Sequence, residues 1–231
     1  MDCKTCSNTN CIIKRNSQED KISQFLPSRN YLKCSKGQTF ILEGNMVHGL
    51  YFIQEGTAKI AKTGYNEKQQ IVRFASNGEM VGYRGFGSGK SYQISATAIQ
   101  NTYLCYFSSE IFHSMLKTIP SLTFDLMTFY AEELNRSETK VKKLAQMTVR
   151  EKVIDTLLYI HRKFGQSKFL NITLSRSELS DYAGTTQEQV TRVLTSLKKE
   201  GLIQTNKKSI GINDVILLRK EIANHHYFLD A

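Results

Sequence analysis

The chain has 231 residues, 40% of them apolar, which is enough for two ordinary domains with packed cores. Its formal charge of +10 and pI near 9.3 suit a polyanionic partner, and the basic excess is spread along the chain rather than gathered in one tract. With no apolar run of about 18 residues and no charged-then-apolar leader, neither a membrane partner nor secretion is expected. The expected location is the cytoplasm, where five cysteines are more suited to metal ligation or burial as thiols than to disulfides.

Residues 1–20 read as a cysteine-containing tail. Cys3, Cys6 and Cys11 form a C-x2-C-x4-C group, and two residues between thiols let one turn present both sulfurs to one centre, as an iron–sulfur cluster or zinc requires. A disordered tail with incidental thiols is the alternative. Residues 21–118 read as a β-roll, because runs such as TFILEG, LYFIQEG, TAKIAKTG and QQIVRFAS are separated by turns at Gly44, Gly56, Gly64 and Gly78. Short strands so punctuated predict a small antiparallel barrel or sandwich, the expected sensory part. Cys34 and Cys105 fall in this region, and a cysteine in an apolar strand has an ordinary core reading.

A long helix is predicted over 119–147, after Pro120. Met127, Tyr130, Leu134, Val141 and Leu144 take a and d positions of a heptad frame, interrupted by Ser137, which suits a coiled coil between two copies; packing on the chain's own barrel is the alternative.

Residues 148–231 carry the pattern of a winged helix-turn-helix. Ser175 and Glu178 have capping-box spacing, Leu179 and Ala183 share a face, and Gly184 supplies a turn. A second helix beginning at Thr185 or Thr186 carries Val190, Val193, Leu194 and Leu197 as a buried stripe. Thr186 and Gln187 open it, and Glu188, Thr191, Arg192 and Thr195 lie roughly opposite the apolar stripe. Arginine reads guanine, glutamate accepts from cytosine and a threonine methyl meets thymine, so this face suits a major groove. Thr185 with Glu188 also has capping-box spacing, the bland reading of that face. Gly201 ends the helix, and Leu202–Gln204 with Ile210–Ile212 predict a hairpin wing whose Lys207 and Lys208 face phosphate. Two copies place two such helices about one turn of DNA apart on a near-palindromic duplex site.

The order of roll, long helix and winged helix-turn-helix resembles the Crp/Fnr family of bacterial transcription regulators over essentially the whole chain, an α+β architecture. QEQVTR (187–192) is similar to the family's recognition core E-x-x-[SG]-R, and GEMVGYRGFGSGKSYQISATAIQNTYLCYF (78–107) to its closing barrel strands. The resemblance implies a homodimer reading half-sites close to TTGAT and contacting RNA polymerase. Members that bind cyclic nucleotides carry a glutamate and an arginine where this chain has Tyr83 and Ile94. Gly82, Tyr83, Arg84 and Ser95 mark the corresponding effector pocket, and an apolar Ile94 cannot neutralise a phosphate, so cyclic AMP is not expected. The Fnr branch has three N-terminal cysteines, C-x2-C-x5-C, and one in the barrel where Cys105 stands. The second gap is one residue shorter here. The resemblance thus implies a [4Fe–4S] cluster on Cys3, Cys6, Cys11 and Cys105 that ties the tail to the barrel and is dismantled by oxygen or nitric oxide.

Two further readings remain. The roll is alternatively a pocket for haem, with His48 or His113 as ligand, or for a small organic effector or cyclic nucleotide, the cysteines then being non-ligating. Cys3 and Cys6 as a C-x-x-C thiol redox enzyme is disfavoured, because nothing near them supplies the strand and helix such a motif opens.

Overall fold

A computed structural model describes residues 3–86, 90–164, 174–206 and 209–228. The chain forms two compact units, 1–131 and 132–231. The mixed α+β architecture is that expected from the sequence.

In the first unit, strands β1 (Asn30–Cys34), β2 (Thr39–Ile41), β3 (Gly49–Glu55), β4 (Thr57–Thr63), β5 (Gln69–Ser76), β6 (Met80–Val81), β7 (Ser95–Ala98) and β8 (Thr102–Ser108) build two antiparallel sheets. Their orders are β1-β8-β3-β6 and β2-β7-β4-β5. Alternation along the strands sends Ile53 and Leu104 of one sheet, and Ile41, Ala58, Ile60, Ala96 and Ala98 of the other, into one packed cluster. Gly49 is required where β3 meets β8, since a Cβ there would lie 2.1 Å from the Phe107 carbonyl oxygen.

A second cluster forms on the outer side of the first sheet. There Phe52 and Phe107 meet Phe112 and Met115 of α2 (Ser109–Thr118), Leu122 and Leu126 of α3 (Pro120–Gln146), and Ile12 and Ile13 of α1 (Ile12–Arg15). Ser108 caps α2 by accepting from the Ile111 N–H, and Pro120 opens α3, where its missing N–H has no partner to lose. The segment read as a tail therefore departs from that reading. Ile12 and Ile13, two consecutive apolar residues with no strand or heptad pattern around them, are 5% and 1% exposed.

The second unit packs α4 (Val149–Phe164), α5 (Arg176–Ala183) and α6 (Gln187–Lys199) against one another. It adds a hairpin of β9 (Ile203–Asn206) and β10 (Ser209–Ile212), then α7 (Val215–Glu221). α4 is buried on all sides over 153–158 and packs against α5 and α6, where Leu179, Ala183, Val190, Leu194 and Leu197 are buried as well. No described helix is long and apolar enough to cross a membrane.

Candidate nucleic-acid interface and cysteine cleft

Ser175 opens α5 with a complete capping box: its hydroxyl accepts from the Glu178 N–H at 3.1 Å, and the Glu178 carboxylate accepts from the Ser175 N–H at 2.9 Å. Gly184 ends that helix at φ 67°, a left-handed conformation glycine adopts without a Cβ penalty, so the chain turns and starts α6 three residues later. Thr186 caps α6 by accepting from the Gln189 N–H. The alternative Thr185 and Glu188 capping box is not formed: Thr185 is buried and its hydroxyl donates to the Gln189 side chain.

That start fixes the rotation of α6. Val190, Leu194 and Leu197 turn inward, while Thr186, Gln187, Glu188, Thr191, Arg192 and Thr195 are all exposed. The Thr191 and Thr195 hydroxyls donate to carbonyls four residues back, each at 2.8 Å, which leaves their methyl groups and oxygen lone pairs to meet a partner. The hairpin wing is antiparallel, with Asn206 opposite Ser209 and Ile203 opposite Ile212. Lys207 and Lys208 lie outside the described residues.

Two basic side chains that sequence reasoning missed hold this unit together. Arg150 of α4 donates from Nε to Glu221 at 2.7 Å and from Nη1 to Glu200 at 3.0 Å and to Ser196 Oγ at 3.2 Å, binding α4 to the end of α6 and to α7. Hydrogen bonds from Arg150 and Ser196 hold the Glu200 carboxyl below its usual range. Lys140, in the part of α3 that belongs to this unit, donates to the Tyr182 carbonyl at 2.7 Å and lies 3.6 Å over the Tyr182 ring, which stacks on Tyr159 at 4.9 Å. Burial lowers the Lys140 ammonium to about 8 despite the attraction of Asp155. The partners of both residues are distant in sequence, so no local motif marks them.

In the first unit, Cys3, Cys6, Cys11 and Cys105 line a single cleft, with Phe52, Phe107 and Ile13 among its apolar walls. Several contacts shape the loop that carries the first three. The Cys11 N–H donates to the Asn8 carbonyl, Asn8 Nδ2 reaches the Gln54 carbonyl of β3 at 2.7 Å, and Gly78 lies against the Cys11 amide. Cys105 enters from β8, where it pairs with Tyr31 of β1 and Phe52 of β3. Burial pushes the Cys11 thiol up to about 12 and Cys105 up to about 11; backbone N–H groups at the start of α1 oppose the rise at Cys11, and the Arg29 charge opposes it at Cys105. Arg29 Nη1 itself donates to Cys3 Sγ at 2.6 Å. The donor set is four soft sulfurs on one apolar-walled cleft, which fits an iron–sulfur cluster, where each corner takes its own thiolate. Among the described residues no three Cys, His, Asp or Glu side chains are close enough to share one metal ion.

Comparison with known proteins connects the two units. The cyclic nucleotide-binding domain family matches residues 31–119, and the Crp-like helix-turn-helix domain family matches residues 151–221. The chain belongs to the Crp/Fnr family. It is 25% identical over 232 residues to the fumarate and nitrate reduction regulatory protein of Escherichia coli (strain K12), covering 97% of this chain and 91% of that protein. It is 24% identical to the anaerobic regulatory protein of Pasteurella multocida (strain Pm70), over 94% of this chain and 81% of that one. The solved structure of FixK2 from Bradyrhizobium japonicum superposes with a TM-score of 0.75 at 22% identity, covering 83% of this chain and 96% of that one. As a Crp/Fnr member the protein is a DNA-binding transcription regulator and not an enzyme.

Within this Crp/Fnr roll, the four residues expected to mark an effector pocket have different surroundings. Gly82 is left-handed at φ 92° and faces Tyr92 and Ile41. Tyr83 is 3% exposed, packed edge-on against Phe129 and Tyr130 of α3 in the outer cluster, and Arg84 lies over its ring. Ser95 accepts from the Glu43 N–H at 3.0 Å, beside Ile94 and Ala96 in the cluster between the sheets. The sequence motif aligned the four residues, but Tyr83 packs into the outer cluster while Ser95, on β7, bonds to the Glu43 backbone.

The apolar positions of α3 also sort themselves differently from a single seam. Met127, Leu134 and Val141 are 65%, 62% and 66% exposed, and Phe124, absent from the sequence reading, is 70% exposed. Tyr130, placed by the heptad on the dimer face, is half-buried and also packs within its own unit: its ring lies against Tyr83 and Phe129, and its hydroxyl donates to the Tyr83 carbonyl at 2.8 Å. Leu144 is half-buried. An apolar heptad position cannot reveal by itself whether its partner is another copy or its own domain.

Proposed function

We propose that this regulator is a homodimer that reads a near-palindromic DNA site with α6 and couples binding to a [4Fe–4S] cluster held by Cys3, Cys6, Cys11 and Cys105. The observation that carries the reading is the convergence of these four cysteines, from two distant stretches of chain, on one cleft. Relatives named for anaerobic regulation and for fumarate and nitrate reduction support an oxygen-linked signal. When bound, the cluster supplies a thiolate-ligated centre that oxygen or nitric oxide degrades.

The protein's own contacts supply a route from the cysteines to α3. Cys11 immediately precedes α1, and Asn16 at the end of that turn is buried, donating to the Ile12 carbonyl and to Asp125 of α3, both at 2.8 Å. Arg15 adds an ion pair to Asp125 at 3.4 Å. A shift of the cysteine loop is thereby passed to the helix that presents Phe124 and Met127, the exposed apolar residues assigned here to the subunit contact. On DNA, Arg192 and Glu188 of each copy read base edges and Thr191 and Thr195 offer methyl groups, while the wing with Lys207 and Lys208 meets phosphate. The assembled dimer acts in the cytoplasm and contacts RNA polymerase.

Anaerobic purification tests the reading. Brown protein carrying iron and sulfide, dimeric in sedimentation, with selected DNA sites that are lost as the colour bleaches in air, is the expected result. Protein that is colourless and iron-free after anaerobic reconstitution refutes the cluster and leaves DNA binding standing.

A further inference from the structure

The guanidinium of Arg29 is half-buried beside the cysteine cleft, yet it belongs to neither cysteine segment. Its position is built by the sheet. Tyr31, two residues later, is the direct cross-strand partner of Cys105, so the two side chains leave the same face of the sheet, and the Arg29 guanidinium lies 4.7 Å over the Tyr31 ring. From that platform Nη1 donates to Cys3 Sγ at 2.6 Å. One cation thus joins the N-terminal sulfur set to β1, the strand paired with the one that carries the remaining sulfur.

We propose that Arg29 is a positioning residue of the cysteine site, donating a charged hydrogen bond to the Cys3 sulfur and setting how readily a bound iron–sulfur cluster is lost to oxygen. This rests on the cluster reading above. Four thiolates bring an excess of negative charge to a cleft with apolar walls, and a fixed guanidinium with limited hydration offsets part of it. A hydrogen bond to a ligating sulfur withdraws electron density, raises the reduction potential and makes oxidation harder. The Tyr31 ring holds the guanidinium in place through its face, so the contact is largely assembled before any metal arrives.

The test compares anaerobically reconstituted wild type with Arg29→Gln and Arg29→Lys, reading iron and sulfide content, the midpoint potential and the rate of aerobic loss of the visible absorption. Arg29→Gln is expected to load a cluster, to show a lower potential and to bleach about tenfold faster, the usual scale for removing an outer partner of a metal ligand. Arg29→Lys, which keeps the charge, is expected to recover much of the difference. A purely structural role would reduce loading and leave the potential of the loaded fraction unchanged, and that outcome overturns the proposal. Loaded Arg29→Gln with wild-type potential and bleaching rate also overturns it while leaving the cluster reading intact. Failure of the wild type itself to take up iron removes both. If Arg29→Gln does not load at all, the loaded fraction of Tyr31→Leu, which removes the ring that holds the guanidinium, decides: a lower potential with faster bleaching sustains the proposal, and wild-type values overturn it.

Discussion

The recognition helix and the cysteine cleft are both built from few residues, but they are specified over very different distances along the chain. In α6 the decisive geometry is local: the Thr186 cap, the left-handed Gly184 and the spacing of Val190, Leu194 and Leu197 determine which side chains are exposed. The cleft draws Cys3, Cys6 and Cys11 from the chain's start and Cys105 from a strand whose neighbours lie near positions 31 and 52. A local motif can therefore be changed one residue at a time with its frame intact, whereas the cleft depends on a sheet register and on two buried isoleucines that carry no metal chemistry.

The comparison breaks most sharply at Cys105. Cys105→Ser is expected to abolish the visible chromophore of anaerobic protein entirely while circular dichroism and nonspecific DNA affinity stay at wild-type levels; a retained chromophore would show that the cleft works without its strand-borne sulfur. Next in size is Arg150→Ala, which leaves Glu200 and Glu221 without their shared cation. Destabilisation of the second unit in denaturant unfolding is expected, with the first unit unaffected. Arg192→Ala should cost about 1 to 3 kcal/mol of binding at one base-pair position and little at the others, measured by competition among single-substituted sites. Uniform weakening at every position would instead assign Arg192 to the phosphate backbone.

The smallest effect concerns Lys140. Its ammonium is held down to about 8 by burial against the ordinary lysine value of 10.5, so the unfolded chain binds the proton more tightly than the folded one. Stability of the second unit should accordingly rise as pH climbs through the window from about 8 to 10.5, where the folded group is already neutral and the unfolded one is not. The gain is of the order of 1 kcal/mol once partial exposure is allowed for. Lys140→Met should flatten that rise relative to wild type in thermal melts across the same window; an unchanged slope would place the titration elsewhere.

Much of the DNA-binding unit was legible because its signals are short-range. Ser175 and Glu178 lie one turn apart, Gly184 stands where only a left-handed residue closes the turn, and the apolar stripe of α6 repeats at helical spacing. The exposure of Glu188 and Arg192 follows from those positions alone. In the first unit the strands and glycine turns were visible, but the use of their side chains was not. Tyr83 and Ser95 looked like one pocket by alignment, yet Tyr83 packs into the outer cluster and Ser95 bonds to the Glu43 backbone, and Tyr130 looked like a seam residue and also packs on Tyr83.

By itself the sequence determined the α+β order of elements and the exposed polar face of α6, because periodicity and capping are properties of neighbouring residues. Tertiary structure decided that the cysteine segment is anchored by Ile12 and Ile13, that Arg29 reaches Cys3 across Tyr31, and that Asn16 and Arg15 meet Asp125. Those outcomes depend on which surfaces close on one another when apolar area leaves water, and no spacing along the chain encodes that choice.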